Sequence, residues 1–222
     1  MDPTISPEFT AELAKHQIVL DDAVVAHLNR YCNLLWDWNT KLNLTRHSDF
    51  EKFVGRDLTD SLQLARLVEP GERVLDVGSG GGVPGILLAI LRPDLQLSLC
   101  ESVAKKAGAL EAMCRDLQLD IPVFPNRAEK VLVDYCCDVV TARAVGSLSK
   151  MLKWLEPHWG SFGRLLAFKG PRWVAERGEA RHLGFFNKLQ LRLAVQYDMP
   201  GTDSKSVILK IWPKESQEPT DE

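Results

Sequence analysis

Apolar positions follow two rhythms along the chain, and the rhythm changes near residue 70. In the first third, Val24, Leu28, Tyr31, Leu35 and Trp38 recur at a 4-3-4-3 spacing behind Asp21 and Asp22. That spacing draws one apolar stripe on a helix, with the acidic pair at its start. A second helix is predicted from Ser48, where Glu51 completes a capping box, through Phe50, Phe53, Val54, Leu58 and Leu62 toward Leu67. Pro70-Gly71 ends it and marks the expected boundary between two parts of the chain.

Beyond that point short apolar runs bounded by turn residues take over. They predict strands at 73–77, 95–100, 122–124, 137–141 and 165–168, with helices at 86–91 and 105–117 between them. Strands alternating with helices imply a parallel sheet covered on both faces. Segments 189–197 and 207–212 are consecutive strands around a Pro200-Gly201 loop, so an antiparallel hairpin is expected to complete a seven-stranded sheet.

Composition narrows the class. The chain has 222 residues, 45% apolar and 26% charged, which suits one domain with an appendage and excludes a disordered or fibrous protein. Apolar runs are too short to span a bilayer, and the first residues lack the basic start and apolar run of a secretory signal. The five cysteines form no CxxC pair, which predicts reduced thiols in a cytoplasmic setting, no structural metal, and Cys136 and Cys137 as inert core. Net charge is −3, yet residues 143–192 carry ten basic side chains against Glu156, Glu176 and Glu179. Such a local excess is the footprint of an anionic partner or a solvated face. If it meets the phosphates of a nucleic acid, affinity must fall steeply with salt.

The chemistry concentrates in Val74-Leu-Asp-Val-Gly-Ser-Gly-Gly-Gly-Val-Pro-Gly85, between the first strand and the next helix. Nucleotide-type ligands bind at such a junction because glycines let the backbone approach closely. Two registers fit. Gly80-x-Gly82-x-x-Gly85 matches the dinucleotide fingerprint, whereas Asp76-x-Gly78-x-Gly80-x-Gly82 matches enzymes that use S-adenosylmethionine. Asp76 at the strand end suits a cationic methionyl group, Gly78 follows the strand directly, and the C-terminal hairpin favours the second register. Glu101, ending the second strand, suits the two ribose hydroxyls of either cofactor.

Read in order, several motifs resemble the GidB/RsmG family of bacterial small-subunit ribosomal RNA methyltransferases. They are Trp38-Asn-Thr-Lys-Leu-Asn-Leu-Thr-Arg46, Arg56-Asp-Leu-Thr-Asp-Ser61, the glycine loop, Glu101-Ser-Val-Ala-Lys-Lys106, Arg127-Ala-Glu129, Ala142-Arg-Ala-Val-Gly-Ser-Leu148 and Phe168-Lys-Gly170. The resemblance covers about residues 20–212. It implies a class I S-adenosylmethionine-dependent fold, Rossmann-like, with a helical extension at 1–70, a methyltransferase domain at 71–213 and an acidic, disordered tail at 214–222. The extension is expected to pack over the cofactor and substrate opening. The implied activity is methyl transfer to N7 of a guanosine in 16S rRNA, on RNA or the small ribosomal subunit, by a cytoplasmic monomer without membrane or metal.

The resemblance also distributes roles. Asp76, Gly78, Gly80 and Val83 would hold the methionyl end, Glu101 and Ser102 the ribose, and Ala128 and Glu129 would flank the adenine. Arg143 would serve both cofactor and catalysis, with a salt bridge to Asp76 or Asp138 as its structural alternative. Its replacement by Ala is expected to stop transfer while leaving the fold intact. Arg56, Lys169 and Arg172 would contact the RNA. Trp38 is expected in the core, and Asn39 and Asn43 capping the following loop. Three departures stand out: Asp57 where the family commonly has His, Ala109 for an aromatic, and Val83 for a bulkier residue. Two alternatives stay open: a methyltransferase acting on another RNA or a small molecule, and a cofactor-binding assembly factor without catalysis.

Overall fold

A computed structural model describes residues 5–200 and 203–216. A seven-stranded sheet in the order β3-β2-β1-β4-β5-β7-β6 forms its centre. The strands are β1 (Arg73–Val77), β2 (Gln96–Cys100), β3 (Val123–Phe124), β4 (Cys137–Ala142), β5 (Phe162–Lys169), β6 (Leu189–Asp198) and β7 (Lys205–Pro213). Strands β1 to β5 pair in parallel, while β7 runs antiparallel to both β5 and β6. The fold class predicted from the sequence is the one observed. Gly201 of the expected hairpin loop, and residues 217–222 of the acidic tail, lie outside the described residues.

Alternation along β1 decides which side chain faces which layer. Leu75 and Val77 join Val140, Ala142, Leu165 and Ala167 in a core. That core is covered by α8 (Leu148–Leu155) and α9 (Trp173–His182). Val74 joins Val139, Leu166 and Ile208 on the opposite face, beneath α4 (Thr59–Ala65) and α5 (Gly85–Leu91). Asp76 shares that second face, at the strand's end, and therefore meets the start of α5.

The first helices are part of this architecture. Leu28, Tyr31, Cys32 and Leu35 of α2 (Asp22–Asn39) share one buried cluster with Phe9 and Leu13 of α1 (Pro7–Lys15). Ile86, Leu87 and Ile90 of α5 and Leu110 and Met113 of α6 (Ala104–Asp116) complete the cluster. His27 Nε2 also bonds the Leu117 carbonyl at 2.8 Å. The Pro70-Gly71 turn separates helix from strand without dividing the core. Trp38 is only half-buried, with Lys41 Nζ 5.2 Å from its ring centre, so it covers the stripe rather than entering it.

The second helix departs from a simple capped segment. Its cap is Asp49 rather than Ser48: the Asp49 carboxylate accepts from Lys52 N at 2.8 Å, ahead of α3 (Phe50–Lys52). A π-helical turn, Phe53–Leu58, then joins α3 to α4. Such turns shift the side chains that follow and recur at functional sites. This one carries Arg56 and Asp57. Cys136, expected inside, is exposed just before β4, while the other four cysteines are buried.

Candidate cofactor site and charge network

The glycine loop is built to bring backbone to the surface of a cleft. Gly78, Gly80 and Gly82 have φ of +72°, +56° and +95°, which disfavour any side chain. Gly78 N and Ser79 N donate to the Cys100 carbonyl at 2.8 and 3.3 Å, tying the loop to the end of β2. A Cβ on Gly78 would stand 2.8 Å from Val145 Cγ2. Tyr31 secures the loop from the other side by donating its hydroxyl to the Gly81 carbonyl at 2.8 Å.

Beside Gly78 lies a cavity of about 350 Å³, lined by Val77, Gly78, Cys100, Ser102, Asn126, Arg127, Ala128, Glu129, Val145 and Trp154. Its size suits a nucleoside-type ligand, since such pockets start near ~300 Å³. Of the expected cofactor residues, Gly78, Ser102, Ala128 and Glu129 line it. Glu101 is buried beside it and organises the rim: one carboxylate oxygen accepts from Gly80 N at 3.1 Å, the other from Val103 N at 2.8 Å. Each oxygen keeps a lone pair for a further donor. Burial pushes the Cys100 thiol up to about 12, so it stays protonated and is no nucleophile at neutral pH.

Asp76 does not line this cavity. It is 1% exposed, accepts from Gly85 N at 3.3 Å and from the Thr141 hydroxyl at 2.9 Å, and thereby fastens α5 and β4 beneath the loop. Burial pushes its carboxyl up to about 6. Gly80 and Val83 belong to the loop but also stand outside the cavity lining.

Arg143, just past β4, turns away from Asp76 and Asp138 toward the helical part. Its Nη2 donates to Asp57 Oδ1 at 2.6 Å and its Nε to Asp60 Oδ2 at 2.8 Å. The Tyr197 hydroxyl, from β6, donates to Asp60 Oδ1 at 2.6 Å. His47 Nδ1 stands 2.9 Å from Asp57 Oδ1. Burial opposes the charge on Arg143, and the two carboxylates overcome it, holding the guanidinium above its usual pKa. For Asp60 the balance tips the other way, and burial raises its carboxyl despite Arg143. Asp138, the other suggested partner, instead pairs with Arg73 at 3.2 Å.

Asp57 thus has a defined place in the molecule. It is 1% exposed, and the imidazole missing from its own position stands against it from the preceding loop. That loop is held by Asn39, whose side-chain oxygen accepts from Leu44 N and Thr45 N at 2.8 and 3.0 Å. Thr45 Oγ1 accepts from His47 N at 2.9 Å, and Trp36 Nε1 donates to the His47 carbonyl at 2.9 Å. Asn39 therefore caps the loop as expected. Asn43 is exposed and makes no bond among the described residues.

The expected RNA contacts separate. Lys169 is 8% exposed, donates to the Gly146 carbonyl at 2.6 Å and pairs with Glu176 at 2.8 Å. Its ammonium is spent on joining the loop after β4 to α9 and is not presented to solvent. Arg172 is exposed just before α9, and half-buried Arg56 forms no ion pair among the described residues. The sequence also gave no sign of Trp154 in the cavity wall. It lies on an apolar helix, where an aromatic residue reads as core.

A match to the family described as rRNA small subunit methyltransferase G extends over residues 24–198, with the glycine loop, Glu101 and Arg143 all inside it. The chain belongs to the GidB family. A ribosomal RNA small subunit methyltransferase G from Rhodopirellula baltica is 49% identical over 88% of this chain and 84% of its own length. One from Solibacter usitatus is 34% identical over 86% of this chain and 91% of its own. Among solved structures, a methyltransferase from Pyrococcus furiosus superposes with a TM-score of 0.58 over 83% of this chain and 96% of its own, at 12% identity. That likeness supports the class I methyltransferase fold in this GidB member. No described helix is long and apolar enough to cross a membrane.

Proposed function

We propose that this protein transfers a methyl group from S-adenosylmethionine to N7 of a guanosine in 16S ribosomal RNA. The observation that carries the reading is the glycine-lined cavity with Glu101 at its rim, in a chain of the GidB family. Bound S-adenosylmethionine supplies a methyl group on a sulfonium, a good leaving group that needs no metal. The residues present fit it: the loop is a cradle a Cβ would fill, and Glu101 retains acceptors for the ribose. Ser102 supports the ribose side, Ala128 and Glu129 flank the base, and Gly78, Gly80 and Val83 shape the methionyl end. Asp76 contributes by holding the loop from beneath.

Guanine N7 has a free in-plane lone pair, so attack on a methyl group needs no prior deprotonation. Positioning alone then lowers the barrier, provided the attacking and leaving atoms are held in line. Arg143 is the candidate to orient the target base, because Asp57 and Asp60 fix its guanidinium at the side where helical part and sheet meet. The helical part packs over the opening, with Arg56 and Arg172 as phosphate contacts. N7 faces the narrow major groove of an RNA duplex, so the target lies in a loop or is splayed out. The protein works in the cytoplasm, as a monomer, on the small subunit or its RNA.

The test is incubation with methyl-labelled S-adenosylmethionine and small subunits from cells lacking this enzyme, followed by chemical cleavage at 7-methylguanosine. One labelled guanosine is expected. Label on another RNA, or tight S-adenosylhomocysteine binding without any label, overturns the assignment in favour of a different substrate or a non-catalytic role.

A further inference from the structure

A second cavity, of about 710 Å³, lies on the other side of α8 and is twice the size of the first. The two share that helix: Trp154 lines the cofactor cavity, while Lys150 and Lys153 line the second. Lys188 and Trp159 complete its working surface. All three lysines are exposed, and none forms an ion pair among the described residues. The acidic residues of the wall are Glu156 and Glu215, so the balance is cationic. Trp159 is held 4.6 Å from Phe162 between ring centres, and its Nε1–H is shielded from solvent with no acceptor.

The cavity takes up part of the basic excess of residues 143–192. Arg143, Arg164 and Lys169 are consumed by buried pairs with Asp57 and Asp60, Glu72, and Glu176. Lys150, Lys153 and Lys188 are left facing solvent around the half-buried ring of Trp159. Single-stranded nucleic acid is bound by this combination: cations follow the phosphates while a ring stacks on a base face.

We infer that this cavity is a second RNA contact, holding a single-stranded stretch of the substrate away from the methylated base. Lys150, Lys153 and Lys188 contact its phosphates, and Trp159 contacts one base. The inference rests on the RNA-methyltransferase reading and adds a site to it.

The test compares wild type with a Lys150→Ala, Lys153→Ala, Lys188→Ala triple variant for binding naked 16S rRNA and small subunits across a salt series. S-adenosylhomocysteine affinity is measured in parallel and is expected to stay unchanged, because the three side chains are outside the core and the cofactor cavity. RNA affinity is expected to fall about tenfold or more near physiological salt. The slope of log affinity against log salt is expected to flatten by about 2, at roughly 0.7 per lost single-strand contact. Arginine at all three positions should retain binding. An unchanged affinity and slope overturns the inference while an active wild type leaves the methyl-transfer reading standing. Loss confined to the particle, with naked RNA bound normally, overturns it in favour of a ribosomal-protein contact.

Discussion

Two regions of the molecule, the glycine loop and the surroundings of Arg143, are made of different materials. On the side of the glycine loop the structure is backbone: Gly78, Gly80 and their neighbours, fastened by the Cys100 carbonyl and the Glu101 carboxylate. On the side of Arg143 it is a buried charge network, drawn from a loop (His47), a π-helical turn (Asp57), α4 (Asp60), the end of β4 (Arg143) and β6 (Tyr197). A backbone wall is stiff and tolerant of sequence except where φ or space demands glycine. A charge network is the reverse, since every member depends on the others being present.

Breaking the network should therefore have the largest effect. Arg143→Ala leaves Asp57 and Asp60 buried without their cation, and removing one partner of such a group costs about 3–5 kcal/mol. The sequence alone predicts lost transfer in an intact fold; the buried pairs add that stability should fall as well. Urea unfolding beside single-turnover methylation checks this, and wild-type transfer in the variant would remove Arg143 from the site. Asp57→Asn, which leaves Asp60 in place, should cost less, about 1–3 kcal/mol.

Asp76 gives the cofactor side its own electrostatic signature, visible in pH. Its folded pKa of about 6 lies above the ordinary value of 3.8, so the folded state holds the proton more tightly than the unfolded chain. The buried carboxyl therefore costs nothing below the ordinary value. The cost grows between pH 4 and 6 and is full above that, reaching on the order of 3 kcal/mol. Asp76→Asn can still offer an oxygen to Gly85 N and turn its amide toward the Thr141 hydroxyl. Its stability should lose less than wild type between pH 4.5 and 7.5 in unfolding titrations. Asp60 is raised for the same reason, so part of the slope should survive. An unaltered slope in the variant would mean that Asp76 titrates normally.

Gly78→Ala probes the backbone wall directly. The new Cβ meets Val145 at 2.8 Å in a left-handed conformation. Its local strain is about 1–2 kcal/mol, but the shift enters the cavity, so S-adenosylhomocysteine affinity should drop roughly a hundredfold, or about 2.7 kcal/mol. Calorimetry with an unchanged ligand affinity would show that the loop does not touch the cofactor.

The contrast also explains what could be read from the sequence. The strands, the terminal hairpin and the glycine loop are legible because each is a local pattern: apolar runs, glycine spacing, an acidic residue at a strand end. The partners of Arg143 were not, because Asp57 and Asp60 lie more than eighty residues away and nothing in spacing links them. Asp57 read as a lost cation, whereas the fold returns an imidazole to it from His47. Lys169 read as a solvent-facing phosphate contact because its partners, Glu176 and the Gly146 carbonyl, come from other elements. Trp154 carries no sequence signal, and Cys136 is expected in the core. An aromatic in an apolar helix faces a cavity, and a cysteine beside a buried strand faces water.

The smallest expected effect sharpens the comparison most, because it concerns a charged side chain that fastens the glycine loop. Glu101 accepts from Gly80 N with one oxygen and from Val103 N with the other. Glu101→Gln retains the shape but can satisfy only one of these donors, since its amide nitrogen cannot accept. An uncharged amide oxygen is also a weaker acceptor for the ribose hydroxyls than the carboxylate, by about 1.5 kcal/mol, which corresponds to roughly tenfold in S-adenosylhomocysteine affinity. RNA binding should be unaffected, because no phosphate contact passes through Glu101. If the glutamine variant binds the cofactor as well as wild type, the loop holds its shape without the carboxylate, and backbone alone makes that wall. If affinity for both ligands falls together, the glycine loop and the Arg143 network are mechanically joined and the contrast between them is one of composition only.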